Sequence, residues 1–212
     1  MPETDPHAPI AYCTAIAAAL FFALSPSVCP AQSLHGLKIG DEAAALTRLA
    51  SPAETANDNG MSVRRWTLPN GNSFSVTLSR NGRIIYLESD WNGANDDTGC
   101  DLPGLHFGAT TLTELRKRLG SNGFAFKARG GILPTPDGIV MINSYEVGSA
   151  IVTFYSRINQ EEYQRAKASI PNASPADYAR LDGISIADET YAKKAGWGPS
   201  IFDPNYKKPD WK

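Results

Sequence analysis

The segment 34–40 recurs at 102–108, and that duplication constrains the fold more than any other feature of the chain. Leu34, Gly36, Leu37 and Gly40 match Leu102, Gly104, Leu105 and Gly108, with Ile39 standing against Phe107. A unit written twice must bury its apolar side twice, so a tandem architecture is the first expectation. Each copy leads into helix-period sequence. After the first, Asp41 is placed to cap and Leu46, Leu49 and Ala50 form an apolar stripe. After the second, Thr111 and Glu114 have capping-box spacing and Leu112, Leu115 and Leu119 form the stripe. Helices of about ten residues are marginal alone and need a sheet to cover.

Sheet patterns come after the helical segment in both copies. In the first, strands are expected over 63–68, 73–78 and 83–88, separated by Asn70-Gly71 and Asn81-Gly82, which accept the positive φ of tight hairpins. The middle strand alternates: Phe74, Val76 and Leu78 on one face, Ser73, Ser75 and Thr77 on the other. In the second copy, strands over 124–128, 139–145 and 150–155 are punctuated by Gly138 and Gly148. The expected fold class is α+β, with two tandem repeats. Each repeat is a short helical segment plus a three- to four-stranded antiparallel meander, followed by a mostly helical and irregular C-terminal extension. The expected divisions are 1–31 as a signal peptide, 32–89 as the first repeat, 90–101 as an acidic polar linker, 102–157 as the second repeat and 158–212 as the extension. Within the extension, helices are expected after Asn159, after Ser174-Pro175 and from Asp188 to Lys194. The tail carries Trp197, Phe202, Tyr206 and Trp211, rings able to wrap across the repeats or to dock on a partner.

A Gly-Leu-x-x-Gly lead into a short helix, then an antiparallel meander, duplicated in tandem, resembles the β-lactamase-inhibitor-protein-like fold. Small outer-membrane-assembly lipoproteins share a single-copy version. The resemblance covers roughly residues 34–157 and rests on pattern. No inhibitory residue carries over, because no contact motif matches, and the lipobox of the lipoproteins is missing.

The amino-terminal stretch from Ile10 to Leu24 is almost wholly apolar, a length suited to a signal-peptide core and short for a membrane span. Its leader lacks the usual Lys or Arg. Cleavage after Ala31 leaves Cys100 alone, whereas cleavage after Ser27 retains Cys29 and permits a Cys29–Cys100 disulfide. Export to the periplasm or the medium is the expected localisation, with no stable membrane span in the mature chain. Without the leader acids Glu3 and Asp5, 20 acidic residues face 20 basic ones. Such balance gives no general attraction for nucleic acid or anionic lipid.

No spacing specifies a reaction. His35 and His106 lack His-x-x-His or Cys-x-x-Cys company, so no metal is expected. The run from Asp90 to Asp97 offers hard oxygen ligands but breaks the EF-hand alternation, and a polar linker explains it as well. No Gly-x-Ser-x-Gly elbow and no phosphate loop is present, and no cofactor is expected. The expectation is a non-enzymatic, exported protein-binding module of the cell envelope with an envelope protein as partner, inhibitor-like or assembly-related. Two alternatives stand beside it: an envelope hydrolase using Cys100 or an acid not identified by motif, and a purely structural envelope protein. Candidate contact residues are Trp66, Tyr86, Trp91 and Tyr145, since Trp and Tyr dominate interface hot spots. Core packing is the alternative for each, above all for Trp66 and Tyr145.

Overall fold

The computed structural model describes residues 32–170, 172–209 and 211. The segment expected to be a signal peptide, including Cys29, lies outside the described residues. The first glycine-leucine lead forms a miniature hairpin of β1 (Ser33–Leu34) and β2 (Leu37–Lys38), with His35 and Gly36 at positive φ. The chain then enters a 3-10 segment, Ala43–Arg48, and not the expected capped helix. Asp41 turns back to accept a hydrogen bond from the Lys38 amide at 2.9 Å instead of capping. Leu46 is the segment's one buried residue, too little apolar surface to hold a longer helix.

A four-strand meander comes next: β3 (Glu54–Asp58), β4 (Met61–Thr67), β5 (Ser73–Leu78) and β6 (Ile84–Asp90). The second half opens with α1 (Leu112–Leu119), whose Thr111–Glu114 capping box and buried Leu112, Leu115 and Leu119 match the sequence pattern. Four more strands succeed it: β7 (Phe124–Phe126), β8 (Ile132–Thr135), β9 (Gly138–Val147) and β10 (Ala150–Asn159). Helix α2 (Gln160–Ser169) is capped by the Asn159 side chain and has no fully buried residue, with Tyr163 half-buried against the main core.

The extension departs from its expected character. It includes a nine-residue strand, β11 (Arg180–Asp188), then α3 (Glu189–Lys194) and β12 (Ser200–Phe202). Strand β11 sits in the middle of a ten-stranded antiparallel sheet ordered β12-β7-β9-β10-β11-β6-β5-β4-β3, with β8 also pairing β9. It bonds to β10 on one side and β6 on the other. The two meanders are thus joined edge to edge through a strand from the extension. The α+β class holds, weighted heavily to antiparallel sheet. Nor is 90–101 a free hinge. The Asn72 side-chain amide donates to the carbonyls of Asn95 at 3.2 Å and Asp97 at 2.9 Å, pinning this loop to the sheet.

One face of the sheet carries the main core. Val76, Leu87, Ile186, Val152 and Tyr145 stand in register across five strands, and α1 and both glycine-leucine leads cover them. Burying a Leu, Val or Phe in this way contributes roughly 1.5–3 kcal/mol relative to exposure. The opposite face is covered only in part. There Tyr86, Phe124, Phe126, Ile151, Ala187 and Trp197 form a smaller cluster with Tyr191 and Tyr206 against it. The tail then continues to Trp211, which joins the main core. Its Nε1 donates to the Glu146 carbonyl at 2.9 Å and its ring meets Tyr145 edge-on. The tail therefore wraps the sheet.

Candidate functional site

The uncovered part of the second face is polar, and strand alternation makes it so. Beyond a bulge near Leu78, β6 sends Leu87 and Ser89 to the core face and Tyr86, Glu88 and Asp90 to the other. Cross-strand pairing places Glu88 opposite Ser75 on β5 and Ser185 on β11. The row extends to Arg65 and Glu54 on one side and to Thr153 and Ser144 on the other. Seven consecutive strands thus present a polar residue at one level. The ends of this row are tied internally. Arg65 pairs with Glu54 at 3.0 Å, and the buried hydroxyls of Ser144 and Thr153 are 2.9 Å apart.

Above the row lies an open cleft of about 600 Å³. Its far wall is Trp197, Tyr191 and Arg129. The Arg129 guanidinium donates to the Tyr155 hydroxyl at 3.0 Å, and that hydroxyl lies 3.2 Å from Ser185 Oγ. A second cleft, about 940 Å³ and flanked by Asp58, Arg80, Asp188 and Lys194, adjoins it across Tyr191.

The electrostatics of the main cleft arise from partial burial. Withdrawal from water pushes the Glu88 carboxyl above the usual range, against the pull of a Tyr86 hydrogen bond, Arg129 and Arg65. Asp90 sits at the mouth with its side chain open to solvent. The cleft walls still strip part of its hydration, and Glu88 and Asp182 add like charge, so its pKa rises to about 7. Burial also raises the Tyr86 and Tyr155 hydroxyls, which stay protonated as donors.

The sequence-derived contact residues divide. Trp66, 5% exposed, and Tyr145, fully buried, belong to the core. Trp66 donates from Nε1 to the Ala50 carbonyl at 2.7 Å, and Tyr145 donates its hydroxyl to the Ser121 carbonyl at 3.3 Å. Their interior hydrogen bonds are filled, so neither is placed for a partner. Tyr86, 8% exposed, forms part of the cleft wall beside Tyr191 and Trp197. Trp91, at the start of the stretch expected to be a polar linker, is half-buried against the core, its ring directly over Gly108. Its Nε1 is buried with no hydrogen-bond acceptor among the described residues.

Cys100 is half-buried and forms no disulfide among the described residues, and burial, with Asp101 adding to it, pushes the thiol up to about 12. That suppresses the thiolate a nucleophile needs. His35 packs edge-on against Phe74, and burial lowers its pKa against the pull of Asp97. His106 pairs with Asp96 at 3.1 Å on the surface. Among the described residues no cluster of three His, Cys, Asp or Glu side chains is placed to hold a metal. The groups missed in the sequence are Glu88, Asp90, Arg129, Tyr155 and Ser185. The polar alternation of Ser73, Ser75 and Thr77 was the one available signal, since their face is the cleft floor.

No family model matches the chain, and no curated protein matches it. Among solved structures, an extracellular protein containing an SCP domain from Bacillus anthracis aligns with 80% of this chain and 50% of its own, at 8% identity and a TM-score of 0.45. A cysteine-rich secretory protein from Staphylococcus aureus aligns over 81% and 51%, at 9% identity and TM-score 0.47. A DUF4309 family protein from Bacillus subtilis aligns over 72% and 82%, at 15% identity and TM-score 0.37. The chain spans about half the length of the first two.

Proposed function

We propose that the protein is an exported, non-catalytic binding module of the bacterial cell envelope, and that the polar cleft on the second sheet face receives a protein partner. The observation that carries the reading is the polar row Arg65–Ser75–Glu88, left open on a face otherwise covered by α3 and the tail. A stable surface with no partner would gain from covering that floor with apolar groups, as the rest of the face does. Export rests on the apolar stretch from Ile10 to Leu24. Among the described residues no helix is long and apolar enough to cross a membrane. The β-lactamase-inhibitor-protein-like resemblance belongs to the same proposal.

One observation favours a second reading. Glu88 and Asp90 are two carboxyls with raised pKa in one cleft, the raw material of acid–base hydrolysis. Cys100 is a poor candidate for that role, given its suppressed thiolate. The test is capture from envelope extract with the wild-type protein and with Ser75→Tyr, which fills the cleft floor without touching the core face. One protein held by the wild type and released by the variant supports the binding module. Equal capture by both removes the cleft from the account. A folded bait that captures nothing directs attention to substrate turnover and Glu88→Gln.

A further inference from the structure

We propose that the cleft recognises a lysine or arginine side chain presented by its protein partner, with Glu88 and Asp90 as the acceptors. This rests on the binding-module reading and names the chemistry of the partner. The argument is one of charge left over after internal pairing. Glu54 is paired with Arg65 at 3.0 Å, and Asp182 with Arg157 at 2.9 Å. Arg129 is committed to the Tyr155 hydroxyl and to the Trp197 ring, where its guanidinium carbon lies 4.1 Å from the centroid. It faces Glu88 at longer range without forming an ion pair with it. Neither Glu88 nor Asp90 forms an ion pair with any described residue, and the Asp90 carboxylate accepts no hydrogen bond from one.

The cleft is more than its acids. It is an open cleft large enough to admit a long side chain, with Ser75 beside Glu88 and Ser73 beside Asp90. Tyr191, half-buried, lines the cleft and offers ring surface to a (CH₂)₄ or (CH₂)₃ stem. An anionic group would meet two carboxyls there, and a neutral one would leave them unpaired. A guanidinium or ammonium group supplies both with charge-assisted hydrogen bonds in place of the hydration that the cleft removes.

The test uses the acetylated, amidated tetralysine peptide as probe, titrated into the full protein with backbone amide shifts as readout. Saturable shifts centred on Ser75, Glu88 and Ser185 are expected, with affinity falling at least tenfold in the Glu88→Gln/Asp90→Asn double variant. These isosteric changes preserve the fold, which amide dispersion checks. Glu161→Gln/Glu162→Gln, on exposed α2, removes the same charge elsewhere and should bind as the wild type does. Equal binding by the cleft double variant, or by a peptide with acetylated side chains, overturns the proposal. Spermidine binding as tightly as the peptide also overturns it, because a free amine would then suffice. If Ser75→Tyr abolishes partner capture but the cleft double variant captures normally, the binding-module reading stands and the cationic assignment falls. Absence of both peptide binding and capture removes both.

Discussion

The guanidinium carbon of Arg129 lies 4.1 Å from the centroid of the Trp197 ring. This contact clamps the tail to the second sheet face. Backbone bonds flank it, from Lys127 N to the Pro199 carbonyl at 2.9 Å and from Ala128 N to the Trp197 carbonyl at 3.0 Å. Arg129 also gives the Tyr155 hydroxyl its donor. Arg129→Ala should lower stability by roughly 1–3 kcal/mol, the sum of a partly desolvated cation–π contact and a charged hydrogen bond. Arg129→Lys should fall between, because a point charge cannot serve ring and hydroxyl together. Urea denaturation followed by tryptophan fluorescence measures both, and an unchanged midpoint for Arg129→Ala would show that the clamp contributes nothing.

The ring of Trp91 occupies the space over Gly108, so that a Cβ there would sit 2.3 Å from Cη2. Gly108 also holds φ +67° and donates to the Leu181 carbonyl at 2.8 Å. Gly108→Ala should destabilise by roughly 2–4 kcal/mol through backbone strain and overpacking together. The two causes separate in a double-mutant cycle. In a Trp91→Ala background the overpacking vanishes and only the strain remains, so Gly108→Ala should cost clearly less there. Strict additivity would mean that Trp91 does not hold the position ascribed to it.

Trp91 also shows where the sequence stopped being legible. The local patterns were clear: β5 was visible in its alternation, and α1 in its capping box and leucine stripe. What a linear reading lacked was the location of β11. Leu181, Ile184, Ile186 and Ala187 are buried, and so is Ser185 between them. A central strand covered on both faces shows no alternation and cannot be told from a helix segment by periodicity. Without β11 the two meanders could not be joined, and Asp90–Asp101 looked like a linker that would expose Trp91. The cleft was hidden for the same reason. Glu88 meets Ser185 across the β6–β11 pairing, and Arg129 reaches them from the turn after β7. Their proximity is a property of strand order.

Cys100 should behave as an inert thiol. Its pKa of about 12 against an ordinary 9.0 arises first from burial, with Asp101 adding to it. A rise of that size lowers the thiolate population at pH 8 about a thousandfold. Iodoacetamide should therefore label native protein at least a hundredfold more slowly than protein in urea. Rapid native labelling would restore Cys100 as a nucleophile. Protein that shows no thiol even in urea, until reductant is added, would instead reveal the disulfide to Cys29.

Asp90 should make stability depend on pH in a direction opposite to that of an ion-paired acid. Partial loss of hydration first, then Glu88 on its own strand and Asp182 on β11, raise its pKa from 3.8 to about 7. The folded protein then holds this proton more tightly than the unfolded chain does, so ionisation works against folding. The penalty is absent below pH 3.8, grows as pH rises and is complete above about 7. Asp182 is itself bridged to Arg157, Arg65 is paired with Glu54 and Arg129 is bonded to Tyr155, so no cation offsets the effect at Asp90. Asp90→Asn should match the wild type near pH 3.5 and become progressively more stable than it up to pH 8. Thermal melts of both proteins at half-unit steps across that range give the comparison. A gap that stays constant with pH would mean that the Asp90 carboxyl titrates normally, and a gap that closes as pH rises would mean that a cation is paired with it.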